Sequence, residues 1–381
     1  MRVCQNISVN MGENRRRFVV GIDLGAGFGA KLGLFDDTLD LVCTGTLSIS
    51  GIGRNPDALV SGLCDKIDEM LTKDGLARQD IAALGLASAG LFRSDGSFLS
   101  AINLPFLKDA NLKELLAERL NIPVGCINDA DAGALAEWNI RRVELLYWVF
   151  GGGWGGAWVS SDGQIRYSSI DWNGDDTSLH YTNEPGYAIP IGKKLLHDLF
   201  ERMGICFERF EKICVGELKT PGATLTGPAG RTDCVRAELL LSGPGRWRIF
   251  CTFAASDHSF ESHLSLEEIS DLNDSVTAGV VIDKLGKLKA DVAVRTDRLF
   301  GQILAEATFI LIRQAIADGC HAGIPIYIAG RPSRALPFFG PAAEDTMRAK
   351  GIMNRLHLSA LESEGRNANL VGVAMLARGM L

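Results

Sequence analysis

Val19 to Phe35, VVGIDLGAGFGAKLGLF, joins two apolar stretches through a loop with glycine at 25, 27 and 29, and Asp23 stands where the first stretch gives way to the loop. Glycines let the chain turn tightly through positive φ and bring backbone N–H groups close to an anion, and a carboxylate beside them can hold a hydrated divalent cation. On this stretch alone two alternatives stay open: a phosphate-and-magnesium hairpin, or an ordinary β-hairpin with a glycine-rich turn. A Walker loop is excluded because no GK[ST] follows, and a dinucleotide fingerprint because the glycines lead into a strand, Leu32–Phe35, rather than a helix. Leu146 to Ile165, LYWVFGGGWGGAWVSSDGQI, repeats the pattern with Gly151, Gly152, Gly153, Gly155 and Gly156, followed by an Asp162-Gly163 turn. The repetition points to an internal duplication, with two lobes each offering a glycine hairpin to one nucleotide.

A chain of 381 residues with 46% hydrophobic composition is long enough for two well-filled cores. The formal net charge of −7 comes with no compensating basic stripe, and Arg15-Arg16-Arg17 reads as solvated surface, so no nucleic-acid partner is expected. The apolar runs read as too short and too broken by glycine to cross a bilayer, and the first 17 residues lack the apolar core of a signal peptide. A cytoplasmic protein with no membrane partner is the expectation. Nine scattered cysteines, odd in number and never spaced as CxxC, argue against both a disulfide framework and a Cys/His metal knuckle.

Along the chain, strand-like and helix-like stretches alternate, which builds sheets covered by helices. Leu41–Ser48 reads as a strand; Asn55–Lys73 reads as a helix with Asn55 as cap and Pro56 in its first turn; Ile81–Ser88 is a buried strand. A helix at 111–120, a short strand at 123–127 and a helix at 130–138 follow, and the alternation closes a first lobe at 1–141, leaving 142–381 for the second. Within the second lobe 206–264 is atypical, and Ala237–Phe253 reads as a hairpin around Gly243-Pro244-Gly245. A long apolar helix at 297–319, a strand at 325–328 and a closing helix at 367–378 complete the chain.

Asn128-Asp129 stands at a strand end just before a helix. That placement suits a catalytic carboxylate in the crevice of an α/β sheet, and it suits equally a plain helix cap, a role open to Asp131 as well. The run NLPFLKDANLKELLAERLNIPVGCINDADAGALAEW, residues 103–138, resembles the sugar kinases of the repressor/kinase (ROK) family, within the actin, hexokinase and heat-shock-protein superfamily. The likeness extends to both glycine hairpins, to Ser88-Ala89-Gly90, to Ile328-Ala329-Gly330 before Ser333-Arg334-Ala335, and to the terminal NANLVGVAMLA.

The resemblance implies an α/β, two-lobed actin-like ATPase (ribonuclease H-like) fold with duplicated mixed sheets flanked by helices. It implies ATP- and Mg2+-dependent phosphorylation of a hydroxyl on a sugar or related polyol. By position, Asp129 is the implied general base, Asn128 and Asn103 hold ring hydroxyls, and Gly90, Glu184 and Tyr187 complete the substrate contacts. Asp23 is implied to bind Mg2+ through water. Gly25, Gly27, Gly29, Lys31, Gly151, Gly153 and Gly155 are assigned to the phosphates, with Gly330 and Ser333 beside the adenosine. Phosphoryl transfer fits such a set, because positioning and charge neutralisation carry most of its catalysis.

Three departures from the family's pattern stand out. Glu184-Pro185-Gly186-Tyr187 has tyrosine where the family has a histidine serving sugar and a structural zinc, and the cysteine-rich zinc motif is missing, so no structural zinc is expected. The sugar glutamate that follows that motif has no evident counterpart. Gly27 and Gly152 stand where the hairpins usually carry threonine. These changes keep a second function open, a catalytically silent sugar or nucleotide sensor of the same fold. A DNA-binding repressor is disfavoured, because only about 18 residues precede the first hairpin. The family commonly dimerises, and a homodimer is compatible with the sequence.

Overall fold

The computed structural model describes residues 18–25, 29–50, 52, 54–93, 95–101, 104–167, 183–218 and 225–381. Of the expected site residues, Gly27 and Asn103 lie outside the described residues. The described chain forms two compact units, one containing the residues up to Asp129 together with Asn369–Leu381, the other Ala130–Ala368.

In the first unit, β1 (Phe18–Gly25) and β2 (Gly29–Phe35) form the glycine hairpin and β3 (Leu41–Leu47) follows. Then come α1 (Pro56–Lys73), β4 (Ile81–Ser88), α2 (Leu112–Leu120) and β5 (Val124–Asn128). Both helices start where the sequence marks them. Asn55 accepts from the Asp57 amide at 2.9 Å ahead of Pro56, and Asn111 accepts from the Glu114 amide at 3.2 Å, each satisfying a donor the helix leaves open. The sheet order is β3-β2-β1-β4-β5, with β1, β4 and β5 parallel and the hairpin antiparallel.

One face of this sheet, Val20, Ile22, Leu24, Leu84, Leu86 and Val124, packs on the buried stripes of α1 and α2. The other face is bare of side chains along one row: Gly33, Gly21, Gly85 and Gly125 stand side by side across four strands. The closing helix lies on this face, with Leu370, Ala374 and Ala377 against Val19 and Ala83.

The second unit repeats the plan. Its α3 (Asp129–Arg141) starts at the boundary, and β6 (Leu145–Phe150), β7 (Trp154–Val159) and β8 (Ile165–Arg166) form the second hairpin and its extension. After them come α4 (Lys193–Arg202), α5 (Phe207–Leu218), α6 (Gly243–Ala254), α7 (Ala278–Lys287) and α8 (Asp291–Ala317). The unit closes with β9 (Ile326–Ala329), α9 (Leu336–Ala349) and β10 (Leu356–Leu358), and α10 (Ala368–Arg378) returns to the first unit. The order β8-β7-β6-β9-β10 is that of the first sheet, again with an antiparallel hairpin beside parallel strands.

Helix α8 is long and apolar enough to cross a membrane, but its Leu299, Phe300, Ile303 and Leu304 are buried in the core of this unit against Trp148 and Phe150 of the sheet. The expected division at 141 differs from the observed one by a helix at each end. Helix α3 packs its Ala134 on Tyr147 and Ala157 of the second sheet, while α10 covers the first.

The segment expected to form a hairpin around Gly243-Pro244-Gly245 is instead the start of α6. Ser242 accepts from the Gly245 amide at 3.0 Å and Pro244 fills the first turn, where its missing N–H costs nothing. Behind it, Arg246 is 3% exposed and its guanidinium bonds Asp297 at 2.7 and 3.1 Å and Asp283 at 2.6 Å, tying α6 to α7 and α8.

The glycine row sets the closeness of α10: a Cβ at Gly85 would stand 2.1 Å from the Val373 carbonyl oxygen, and one at Gly21 2.9 Å from that of Leu370. Backbone cannot give way as a flexible side chain can. Gly85→Ala is therefore expected to destabilise the protein by roughly 3 kcal/mol. Gly216→Ala, in α5 with open space around it, is expected to be neutral or to stabilise by about 0.5–1 kcal/mol. Thermal melts of both variants check the pair.

Candidate active site

In the first unit the C-terminal ends of the parallel strands gather the polar residues. Asp23 on β1 is in register with Ala87 on β4, and Ser88 with Asn128 on β5, whose next residue, Asp129, opens α3. Ligands of open α/β sheets bind at this edge. Asn128 donates through Nδ2 to the Gly90 carbonyl at 3.0 Å, so the pair expected to contact substrate is locked together. Asp23 and Asp129 are both half-buried, and Asn369 on α10 donates through Nδ2 to Oδ1 of Asp23 at 3.1 Å. Lys31 is exposed directly across the hairpin from Asp23. Gly25 pairs with Gly29 at the hairpin's end. Gly29 has φ +85°, and a Cβ there would stand 2.0 Å from the Leu47 carbonyl oxygen, so contact with β3 already demands a glycine.

In the second unit the turn Gly151–Gly153 is closed by a bond from the Gly151 amide to the Gly153 carbonyl at 2.9 Å, and no atom lies within 4 Å of a Cβ built at Gly151 or Gly152. Gly155 lies within β7, its Cβ position hemmed by Val149 at 3.2 Å and Ala130 at 3.4 Å, which gives it a packing role. Gly330 has φ +84° and its Cβ position meets the Phe150 carbonyl oxygen at 2.0 Å, so this loop is pressed onto the hairpin. Ser333 is buried, with its hydroxyl donating to the Gly330 carbonyl at 2.6 Å; it shapes the loop.

Glu184 begins a single helical turn that carries Tyr187. The preceding Asn183 is fixed twice, its carbonyl accepting from the Gly156 amide at 2.9 Å and its Nδ2 donating to the buried Asp131 at 2.7 Å. Tyr187 lies under the Arg236 guanidinium, 4.8 Å from ring centroid to carbon, a cation–π contact. Burial pushes its phenol up, and Glu238 and Glu184 add to the effect.

Glu238 itself is a residue that the sequence reading did not single out. Its Oε2 lies 3.1 Å from the Cβ position of Gly153, and its Cβ stands over Gly186. Burial raises its carboxyl to about 7, although Arg236 and Arg248 oppose the shift. It sits two residues after the short strand Cys234–Arg236, in the segment that carried no motif. Among the described residues no group of three or more His, Cys, Asp or Glu side chains could hold a metal ion.

A duplicated sheet-and-hairpin plan with an acidic pair at the strand ends defines the class: the fold is that of the actin-like ATPases. Residues 19–166 match the profile of the ROK family. Among the solved structures that share the fold are two of the ROK family. One is a ROK family glucokinase of Streptomyces griseus in complex with glucose and AMPPNP, with TM-score 0.64 and 18% identity over 95% of this chain and 99% of that one. The other is a ROK family transcriptional regulator, a homolog of the E. coli MLC protein, with TM-score 0.67 and 17% identity over 94% of this chain and 78% of that one. A protein of Caldicellulosiruptor sp. (strain Rt8B.4) that carries the name of a xylose repressor is 26% identical over 173 residues, 41% of this chain and 42% of that protein. This chain therefore matches less than half the length of that relative.

The raised Glu238 carboxyl makes stability depend on pH. The folded protein holds this proton more tightly than the unfolded chain, so the stability it contributes is full below about 4.5 and is lost as pH rises through about 7. Glu238→Gln is expected to match the wild type at pH 5 and to exceed it at pH 8 by on the order of 2 kcal/mol. Denaturant titrations at the two pH values check it; equal curves at pH 8 refute the burial of this carboxyl.

Proposed function

We propose that the protein is an ATP- and Mg2+-dependent kinase of a sugar or related polyol hydroxyl. The observation that carries this reading is the placement of Asp23 and Asn128-Asp129 at the C-terminal ends of parallel strands in one sheet, in a chain whose residues 19–166 match the ROK family. Asp129, half-buried at the start of α3, would accept the proton of the attacking hydroxyl. Asn128, held against Gly90, would orient a neighbouring hydroxyl, and a base so positioned contributes ~10²–10⁴-fold to rate. Within the second unit the turn carrying Glu184 and Tyr187 packs on Glu238, which sets two carboxyl groups beside an aromatic ring. The open space at Gly151 and Gly152 suits an anion approached by backbone N–H groups.

Bound Mg2+ with its nucleotide supplies charge neutralisation to the transferring phosphoryl group. The described residues fit such an ion. Asp23 offers hard oxygen, and a single carboxylate is enough for Mg2+, which keeps several waters and takes other oxygens from phosphate.

A second reading is a sensor that binds without turnover. It is favoured by Gly152 in place of the hairpin threonine, by Ser333 turning its hydroxyl to the Gly330 carbonyl, and by the regulator and repressor among the similar proteins.

A coupled ADP-release assay with Mg2+ and ATP over hexoses, N-acetylhexosamines and polyols separates the two. The kinase turns over one class, and Asp129→Asn lowers kcat by ~10²–10⁴-fold while the thermal shift with that sugar persists. A fully active Asp129→Asn protein refutes the assigned base. A sugar that raises Tm without any turnover establishes the sensor.

A further inference from the structure

We propose that Asn369 is the positioning residue of Asp23, fixing the angle at which its carboxylate meets a hydrated divalent cation. The proposal rests on the kinase reading above. Asp23 lies two residues beyond Gly21 on the same face of β1, the face covered by α10. Because Gly21 and Gly85 leave less than 3 Å between a built Cβ and the carbonyl oxygens of Leu370 and Val373, the first turns of α10 are held against the sheet with little slack. Asn369, the second residue of that helix, is thereby set over the end of β1, where its Nδ2 donates to Oδ1 of Asp23 at 3.1 Å.

The chemistry of the donor matters. An amide donates one hydrogen bond and adds no charge, so Asp23 keeps its negative charge for a cation, whereas Lys or Arg at 369 would neutralise it. A bond to Oδ1 restrains rotation of the carboxylate plane. Partners that orient a carboxylate in this way commonly change metal affinity or activity 10–100-fold when removed.

The test compares wild type with Asn369→Leu, which keeps bulk and helix and removes the donor, and with Asn369→Ala as a second variant should the leucine fail to fold. Two quantities are measured: Mn2+ binding in the presence of ADP, by electron paramagnetic resonance, and the Mg2+ concentration for half-maximal turnover. The expected result is a roughly tenfold weakening of both, with sugar KM within twofold of wild type and Tm within a few degrees. Unchanged Mn2+ binding in a folded variant overturns the proposal, as does a parallel loss of sugar and Mn2+ binding, which marks a merely structural tether. If the wild type binds Mn2+ with ADP but turns over no sugar, the kinase reading fails, and the resonance titration alone still decides the role of Asn369. If it binds no Mn2+, both fall.

Discussion

The absence of side chains along Gly33, Gly21, Gly85 and Gly125 is the constraint on which the first unit depends. A helix lying on an ordinary sheet rests about 10 Å away on a layer of interlocking side chains. Here the backbone of α10 comes down onto the backbone of the strands, and the helix itself is rich in small residues, with Gly372, Ala374 and Ala377 buried. Close approach brings a short side chain at the helix start within reach of the strand end. Asn369 meets Asp23 for that reason, and a longer residue would be needed if the row carried alanines.

The second unit solves the same problem with other residues. Its covering helix is α3, whose Gly133 lies where a Cβ would touch the Tyr147 ring at 2.8 Å, and whose Ala134 packs against the same sheet face. From this seated helix two buried carboxylates reach out. Asp131 holds Asn183, and with it the chain entering Glu184. Glu137, fully buried, accepts from the Ser359 hydroxyl at 2.7 Å and the Ala360 amide at 3.0 Å, fixing the chain that leaves β10. Each is satisfied by donors, which is the condition for keeping a carboxylate in an interior. Asp131 thus has a structural task two residues beyond Asp129, as a longer-range anchor of Asn183.

Much of this was legible before any coordinates. The two glycine hairpins, the strand at 81–88 and the capped helices at 55 and 111 declare themselves through local rules, and local rules decided them. What the sequence concealed was decided by contacts between distant residues. A Gly-Pro-Gly run is as good a helix start as a turn until Ser242 is known to cap it, and the burial of Arg246 between Asp283 and Asp297 settles the choice. The glycines of the two hairpins and of the 330 loop were read as one class, yet Gly151 and Gly152 face open space while others do not. Gly29, Gly155 and Gly330 are required by neighbouring backbone or side chains, which no pattern of glycines reveals. Glu238 escaped notice because nothing in its own surroundings along the chain distinguishes it. Its raised carboxyl comes from burial beside Gly153 and Gly186, residues more than 50 positions away.

The substitution of tyrosine at 187 has a physical consequence that composition could not show. An imidazole at this position could ligate a metal, and a phenol under a guanidinium cannot serve in the same manner at neutral pH, since burial keeps it protonated. What the phenol gains is an aromatic face broad enough to stack on Arg236, a contact worth on the order of 1–2 kcal/mol when partly desolvated. That stack binds the turn carrying Glu184 to the strand Cys234–Arg236, and the strand is itself paired with Pro190–Gly192. Together with the Asn183 to Asp131 bond and the close packing of Gly186 on Trp154, the Glu184 turn is held from three sides by the second unit alone. A loop so restrained is held by packing and hydrogen bonds, and the same packing buries Glu238, whose carboxyl is raised to about 7.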